Sequence, residues 1–133
     1  MKKTLSIVAI IYSLTVFGQT SQEHFENGIT KHKQQDYKGA IKDYDKAIKE
    51  DELNRDAYYN RGSCELALKD LKSALIDFNK TIDIDPKFTK AYYSRATVFV
   101  SQEKYIEALP DLDKTLELDP TTPNALTLRG QIR

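Results

Sequence analysis

Two hexapeptides decide how this sequence folds: Ala57-Tyr58-Tyr59-Asn60-Arg61-Gly62 and Ala91-Tyr92-Tyr93-Ser94-Arg95-Ala96. They stand 34 residues apart. Such a pair either builds one site from two halves or marks a structural unit used more than once. Shifting the rest of the chain by the same interval brings three further stretches into line: GAIKDYDKAI at 39–48, SALIDFNKTI at 73–82 and EALPDLDKTL at 107–116. Each runs small, apolar, a variable residue, Asp, ring or Leu, polar, Lys, small, apolar. Apolar positions recur at i, i+3 or i+4, and i+7, which is the period of an amphipathic helix and not of a strand.

A second helical stretch lies upstream of each, over 21–34, 55–68 and 89–102, with turns at Asp36-Tyr37, Asp70-Leu71 and Lys104-Tyr105. Start signals agree. Thr20 with Glu23 makes a capping box, Asn54 and Thr89 are placed to cap the next two helices, and Thr122-Pro123 puts proline at a first helical position. Asp85-Pro86 and Asp119-Pro120 are stops, while Glu52 stands where the first unit lacks its proline. The unit is therefore helix–turn–helix, repeated, and the fold class is all-α.

These residues resemble the tetratricopeptide repeat family, whose 34-residue pattern asks for a large residue, Gly or Ala four on, an aromatic at the turn, Ala, an aromatic, Ala and a closing Pro. The second unit matches with Tyr58, Gly62, Leu71, Ala74, Phe78, Thr81 and Pro86, and the third with Tyr92, Ala96, Tyr105, Ala108, Leu112, Thr115 and Pro120. The first gives Gly28, Tyr37, Ala40, Tyr44 and Ala47, with His24 at the large position. The resemblance implies a right-handed α-solenoid with repeats at 21–54, 55–88 and 89–122, and a terminal capping helix at 123–133 that is the first helix of a partial fourth. Three repeats plus a cap is near the minimum for a stable stack.

The first eighteen residues stand apart. Lys2 and Lys3 precede an apolar run from Leu5 to Phe17, and Val16-Phe17-Gly18 suits a cleavage site after Gly18. The run is too short to span a bilayer comfortably, which takes about 20 apolar residues. The expectation is a signal peptide over 1–18, a secreted or periplasmic product with no membrane span after cleavage, and 18 cationic against 20 acidic side chains in the remainder. An uncut segment would instead anchor the chain. The charge balance carries no basic surplus for nucleic acid. Cys64 is the only cysteine, which excludes an internal disulfide; two residues past Gly62, it is expected to be buried.

Arg61, Arg95 and Arg129 share one register, in which the first unit has Asn27; Asp43, Asp77 and Asp111 share another. Pairing each Asp with the Arg eighteen residues on leaves none over. The expectation is a structural inter-repeat ladder, Asp43–Arg61, Asp77–Arg95 and Asp111–Arg129. Its arginines are then architecture and not readers of a ligand.

The resemblance also implies where a partner would sit, since such stacks present a concave surface lined by first helices. The family's groove positions fall here on Phe25, Ile29, Tyr59, Asn60, Ser63, Lys90, Tyr93 and Thr97. They form a ring stripe suited to an extended peptide or a helix, with Asn60 for backbone amides. The same rings could instead fill the space between neighbouring helices. Family members that clamp the acidic C-termini of heat-shock chaperones use Lys and Asn, then Asn, then Lys and Arg. Those places hold Phe25, Ile29, Asn60, Lys90 and Ser94, so the resemblance does not extend to that ligand. His24 and His32 alone make no metal site. No phosphate loop, nucleophile constellation or cofactor motif is present, and no enzyme activity is expected. The reading is a protein-binding module, with a self-associating envelope scaffold as the alternative. Pro110, inside the second helix of the third unit, is expected to kink it unless it sits near the start.

Overall fold

The computed structural model describes residues 20–132, and the expected signal peptide lies outside them. Seven helices and no strand occur among the described residues. The first, α1, runs through 20–33 and is already helical at residue 20. There follow α2 (Tyr37–Glu50), α3 (Arg55–Ala67), α4 (Leu71–Ile84), α5 (Thr89–Ser101), α6 (Tyr105–Leu118) and α7 (Pro123–Ile132). From α2 onward each helix packs on the next in chain order, α1 meets α2 where Phe25 and Gly28 face Tyr44, and the first helices α3 and α5 touch only lightly. That arrangement is an all-α repeat stack.

The same local chemistry recurs at each junction. Gln35, Lys69 and Glu103 close the first helices in the left-handed region, with φ of 62°, 64° and 59°. Behind them the amides of Asp36, Asp70 and Lys104 donate to the carbonyls of Lys31, Glu65 and Phe99 at 2.9, 2.9 and 2.8 Å, closing the helix ends. Asp36 and Asp70 then cap α2 and α4 by accepting from the amides of Gly39 and Ser73. Asn54 caps α3 as its position predicts, accepting from Ala57 at 3.0 Å. Thr89 does not cap. It is the first residue of α5, and the capping position belongs to Phe88, which has no oxygen to offer. The stop signal is also sharper than proline. Asp51, Asp85 and Asp119 each accept from the amide two residues on, at 3.1, 3.1 and 3.0 Å, so the first repeat turns without a proline.

Packing explains the small residues. A Cβ built on Gly28 would lie 2.5 Å from the Tyr44 ring, and one on Gly62 would lie 2.8 Å from Phe78. In the third repeat Leu112 replaces the ring, and Ala96 stands where the glycines were, fully buried. Small and large residues therefore trade volume across each helix pair. Pro110 leaves α6 unbroken from Tyr105 to Leu118. The carbonyl it deprives of a donor belongs to Ile106, which is 83% exposed and open to water. Cys64 is buried, and desolvation pushes its thiol up to about 12, so it is an inert core group.

Candidate functional site

The structure corrects the expected charge ladder. Arg61 does not meet Asp43, nor does Arg95 meet Asp77. Instead Arg61 Nε and Nη2 donate to both carboxylate oxygens of Asp77 at 2.7 Å, within its own repeat. Arg95 does the same to Asp111 at 2.8 and 2.7 Å. These are bidentate pairs on aspartates only 2% and 4% exposed. The remaining guanidinium nitrogen reaches back one repeat: Arg61 to Asp45, Arg95 to Asn79 and Arg129 to Asp113, each at 2.9 Å. An inter-repeat link therefore exists, but through the residue two past the predicted aspartate. Asp43 is neutralised by Lys31 at 2.7 Å. The predicted pairing assumed one cation type in one register, and Lys31 lies in another, one turn further along α1.

With Arg61 and Arg95 committed to architecture, the open surface is left to other residues of the first helices. A pocket of about 310 Å³ brings together Tyr59 of α3, Thr89, Lys90 and Tyr93 of α5, Thr115 of α6, and Asp119, Thr122 and Pro123 at the entry to α7. Three predicted groove residues, Tyr59, Lys90 and Tyr93, thus share one cavity. Lys90 is exposed at its edge. Asp119 supplies the opposing charge: the Thr121 hydroxyl and amide, at 2.6 and 3.0 Å, hold its carboxyl below the usual range. Two ring walls with one cation and one anion suit a short stretch of peptide carrying an apolar side chain.

The other predicted residues are placed differently. Phe25 stacks on Tyr44 with ring centroids 5.9 Å apart, and Ile29 packs beside it over Ala40 and Cys64. Both are half-buried filling between helices. Asn60 is half-buried. Ser63 and Thr97 turn their hydroxyls back onto the carbonyls of Tyr59 and Tyr93, each at 3.0 Å, within their own helices. Tyr59 itself is braced by Phe78 and Phe88, at 5.8 and 5.1 Å between centroids, with its hydroxyl 3.4 Å from Ser94 Oγ. Phe88 also lies under Arg55, whose guanidinium carbon is 4.4 Å from the ring centre and which pairs with Asp85 at 2.7 Å. Sequence reasoning missed Phe88. Its signal was a ring in the register where the neighbouring repeats carry Asn54 and Thr122.

No group of three or more metal-ligating side chains occurs among the described residues. No helix among them is long and apolar enough to cross a membrane.

Comparison with known proteins bears on this site. Models described as Tetratricopeptide repeat match residues 25–87 and 89–122. The Arabidopsis OM64 TPR domain superposes with a TM-score of 0.84 at 31% identity, covering 86% of this chain and 95% of that one. The first TPR of Spaghetti (RPAP3), bound to the HSP90 peptide SRMEEVD, gives 0.83 at 31% identity, covering 86% and 90%. The second TPR domain of human RPAP3, in complex with the HSP70 peptide SGPTIEEVD, gives 0.82 at 26% identity, covering 87% and 97%. No curated protein sequence matches significantly.

Proposed function

Since this chain belongs to the tetratricopeptide repeat family, we propose that it is an exported interaction module, binding a protein or peptide partner in the groove of its first helices and performing no chemistry of its own. The observation that carries this reading is the pocket of about 310 Å³ on which Tyr59, Lys90 and Tyr93 converge. Relatives solved with bound peptides support a peptide as the ligand class. Their particular ligands do not transfer whole. Phe25 and Ile29 stand where chaperone clamps place Lys and Asn, and both pack inward, so an acidic C-terminus would meet Lys90 and Asn60 alone. Export is supported by the lysines and apolar run of residues 1–18.

The test is selection of a displayed peptide library on the immobilised protein, repeated with Lys90→Glu and Tyr93→Ala, each checked for helicity. Selected peptides should lose at least tenfold in affinity for both variants, about 1.4 kcal/mol. Peptides that bind both variants like the parent would contradict the assignment of the groove. One observation favours the self-associating alternative: a second cavity, of about 410 Å³, lies at α7 between Val100, Tyr105, Leu128, Gln131 and Ile132. Light scattering across a concentration series separates the readings. A mass that falls on Leu128→Asp substitution supports the scaffold; a constant monomer leaves the groove reading ahead.

A further inference from the structure

Along the stack, the outer side of the second helices changes character. In α2, Lys38, Lys42, Lys46 and Lys49 fall within an arc of about 80° and span about 16 Å of helix. All four are exposed, and among the described residues none of them forms an ion pair, although Lys31 of the same repeat does. The same places hold Lys72, Ile76, Lys80 and Asp83 in α4, and Ile106, Pro110, Lys114 and Glu117 in α6. The row is therefore a property of the first repeat and not a solvated face common to all. Asp45, the acid nearest the arc, lies about 20° outside it and is engaged by Arg61 at 2.9 Å.

A second observation lies at one end of this row. In the second repeat Lys80 sits over the Tyr58 ring, 5.9 Å from its centre. The matching residues of the first repeat are Lys46 and His24. Together with Lys49 and Glu50 they line an open pocket of about 320 Å³. Glu50 is the single carboxylate there. The balance of row and pocket is cationic, and the cavity is large enough for a phosphate group. The first repeat also follows directly on the apolar run Leu5–Phe17, itself preceded by Lys2 and Lys3. Left uncut, that run would tether the chain to a bilayer beside this repeat.

We propose that the lysine row of α2 and the adjoining His24 pocket form a docking surface for anionic lipid headgroups, holding the first repeat against a membrane. The row lies on a second helix, so the groove of the first helices stays available to a partner, and the proposal is independent of what that partner is. A lysine near an anionic leaflet raises binding about fivefold, attenuated beyond a Debye length of about 8 Å at physiological salt.

The full chain, sedimented with vesicles of phosphatidylcholine alone or mixed with phosphatidylglycerol, provides the test. Insertion of the apolar run contributes to both vesicle types, and the pull of Lys2 and Lys3 on anionic lipid is common to parent and variants, so it cancels between them. The ratio of binding to the two should favour the anionic vesicles and decline with salt. The variant Lys38→Gln/Lys42→Gln/Lys46→Gln/Lys49→Gln should lower it on the order of a hundredfold. Lys69→Gln/Lys72→Gln/Lys87→Gln/Lys104→Gln, with the same change of net charge, should keep most of it. A ratio unmoved by the first variant, or lowered equally by both, would overturn the proposal. So would row-dependent binding to an oligonucleotide without any preference between vesicles, which would assign the surface to nucleic acid.

Discussion

In the first repeat the buried Asp43 meets Lys31, whereas in the second and third Asp77 and Asp111 meet Arg61 and Arg95 from a position one turn earlier. The comparison shows what each helix pair requires. A carboxylate buried on the second helix needs a cation from its own first helix, and either a lysine or an arginine at neighbouring turns can supply it. The two solutions differ in strength and reach. Lys31 is a point charge whose side chain is 40% exposed. Arg61 grips Asp77 by two hydrogen bonds and still links to Asp45 of the preceding repeat. The position of Lys31 is occupied by Glu65 in the second repeat and by Phe99 in the third. Only the second repeat therefore sets two buried carboxyls beside one guanidinium.

The largest expected effect breaks that comparison at the arginine. Arg95→Ala leaves Asp111 buried and unpaired, and chemical denaturation should show a loss of about 3 kcal/mol or more. Lys31→Ala should cost less, because it removes a single contact from a 40% exposed ammonium, where Arg95→Ala removes a two-bond grip. Equal losses would mean that the two cations are equivalent.

Volume exchange gives the next effect. Gly62→Ala should destabilise by about 2 kcal/mol by driving a methyl against Phe78, despite the better helix propensity of alanine. Adding Phe78→Leu reproduces the third repeat's pairing of Ala96 with Leu112, and the double variant should recover part of the loss. A denaturation midpoint that falls further in the double variant would refute the trade.

A smaller effect sharpens the second repeat. Burial, and then the neighbouring Asp77, push the Glu65 carboxyl up to about 8 from 4.5. Its protonated form is favoured by folding, so its contribution is fully present below about pH 4.5 and is lost as pH rises towards 8. Thermal melts of the parent should decline across that window, and Glu65→Gln should flatten the decline. The smallest effect lies at the turns: Lys69→Gly should raise stability by about 0.5 kcal/mol by relieving a side chain at positive φ. An unchanged or lowered melting temperature would show that this φ carries no strain.

Much of the architecture was legible because its signals are local. Apolar spacing, Asn54 as a cap and Pro123 at a helix start each report on a few neighbouring residues, and helix ends fell close to where they were read. Thr89 misled because Phe88 takes the capping position for its ring, which serves Tyr59 and Arg55 across the repeat. Pairing of the charges was not legible. Counting aspartates against arginines ignored Lys31, and nothing in spacing alone distinguishes a partner sixteen residues away from one eighteen away. Of the residues of the proposed groove, Tyr59, Lys90 and Tyr93 line one pocket, whose other wall, Asp119 to Pro123, comes from a loop that no first-helix pattern includes.

The most direct test of the claim that the arginine of the repeated hexapeptide is architecture, paired within its own repeat, is a pair of double-mutant cycles on Arg95. Combined with Asp111→Ala, Arg95→Ala should show strong coupling in stability; combined with Asp77→Ala it should be nearly additive. Strong coupling to Asp77 and none to Asp111 would contradict the account and restore the ladder between repeats.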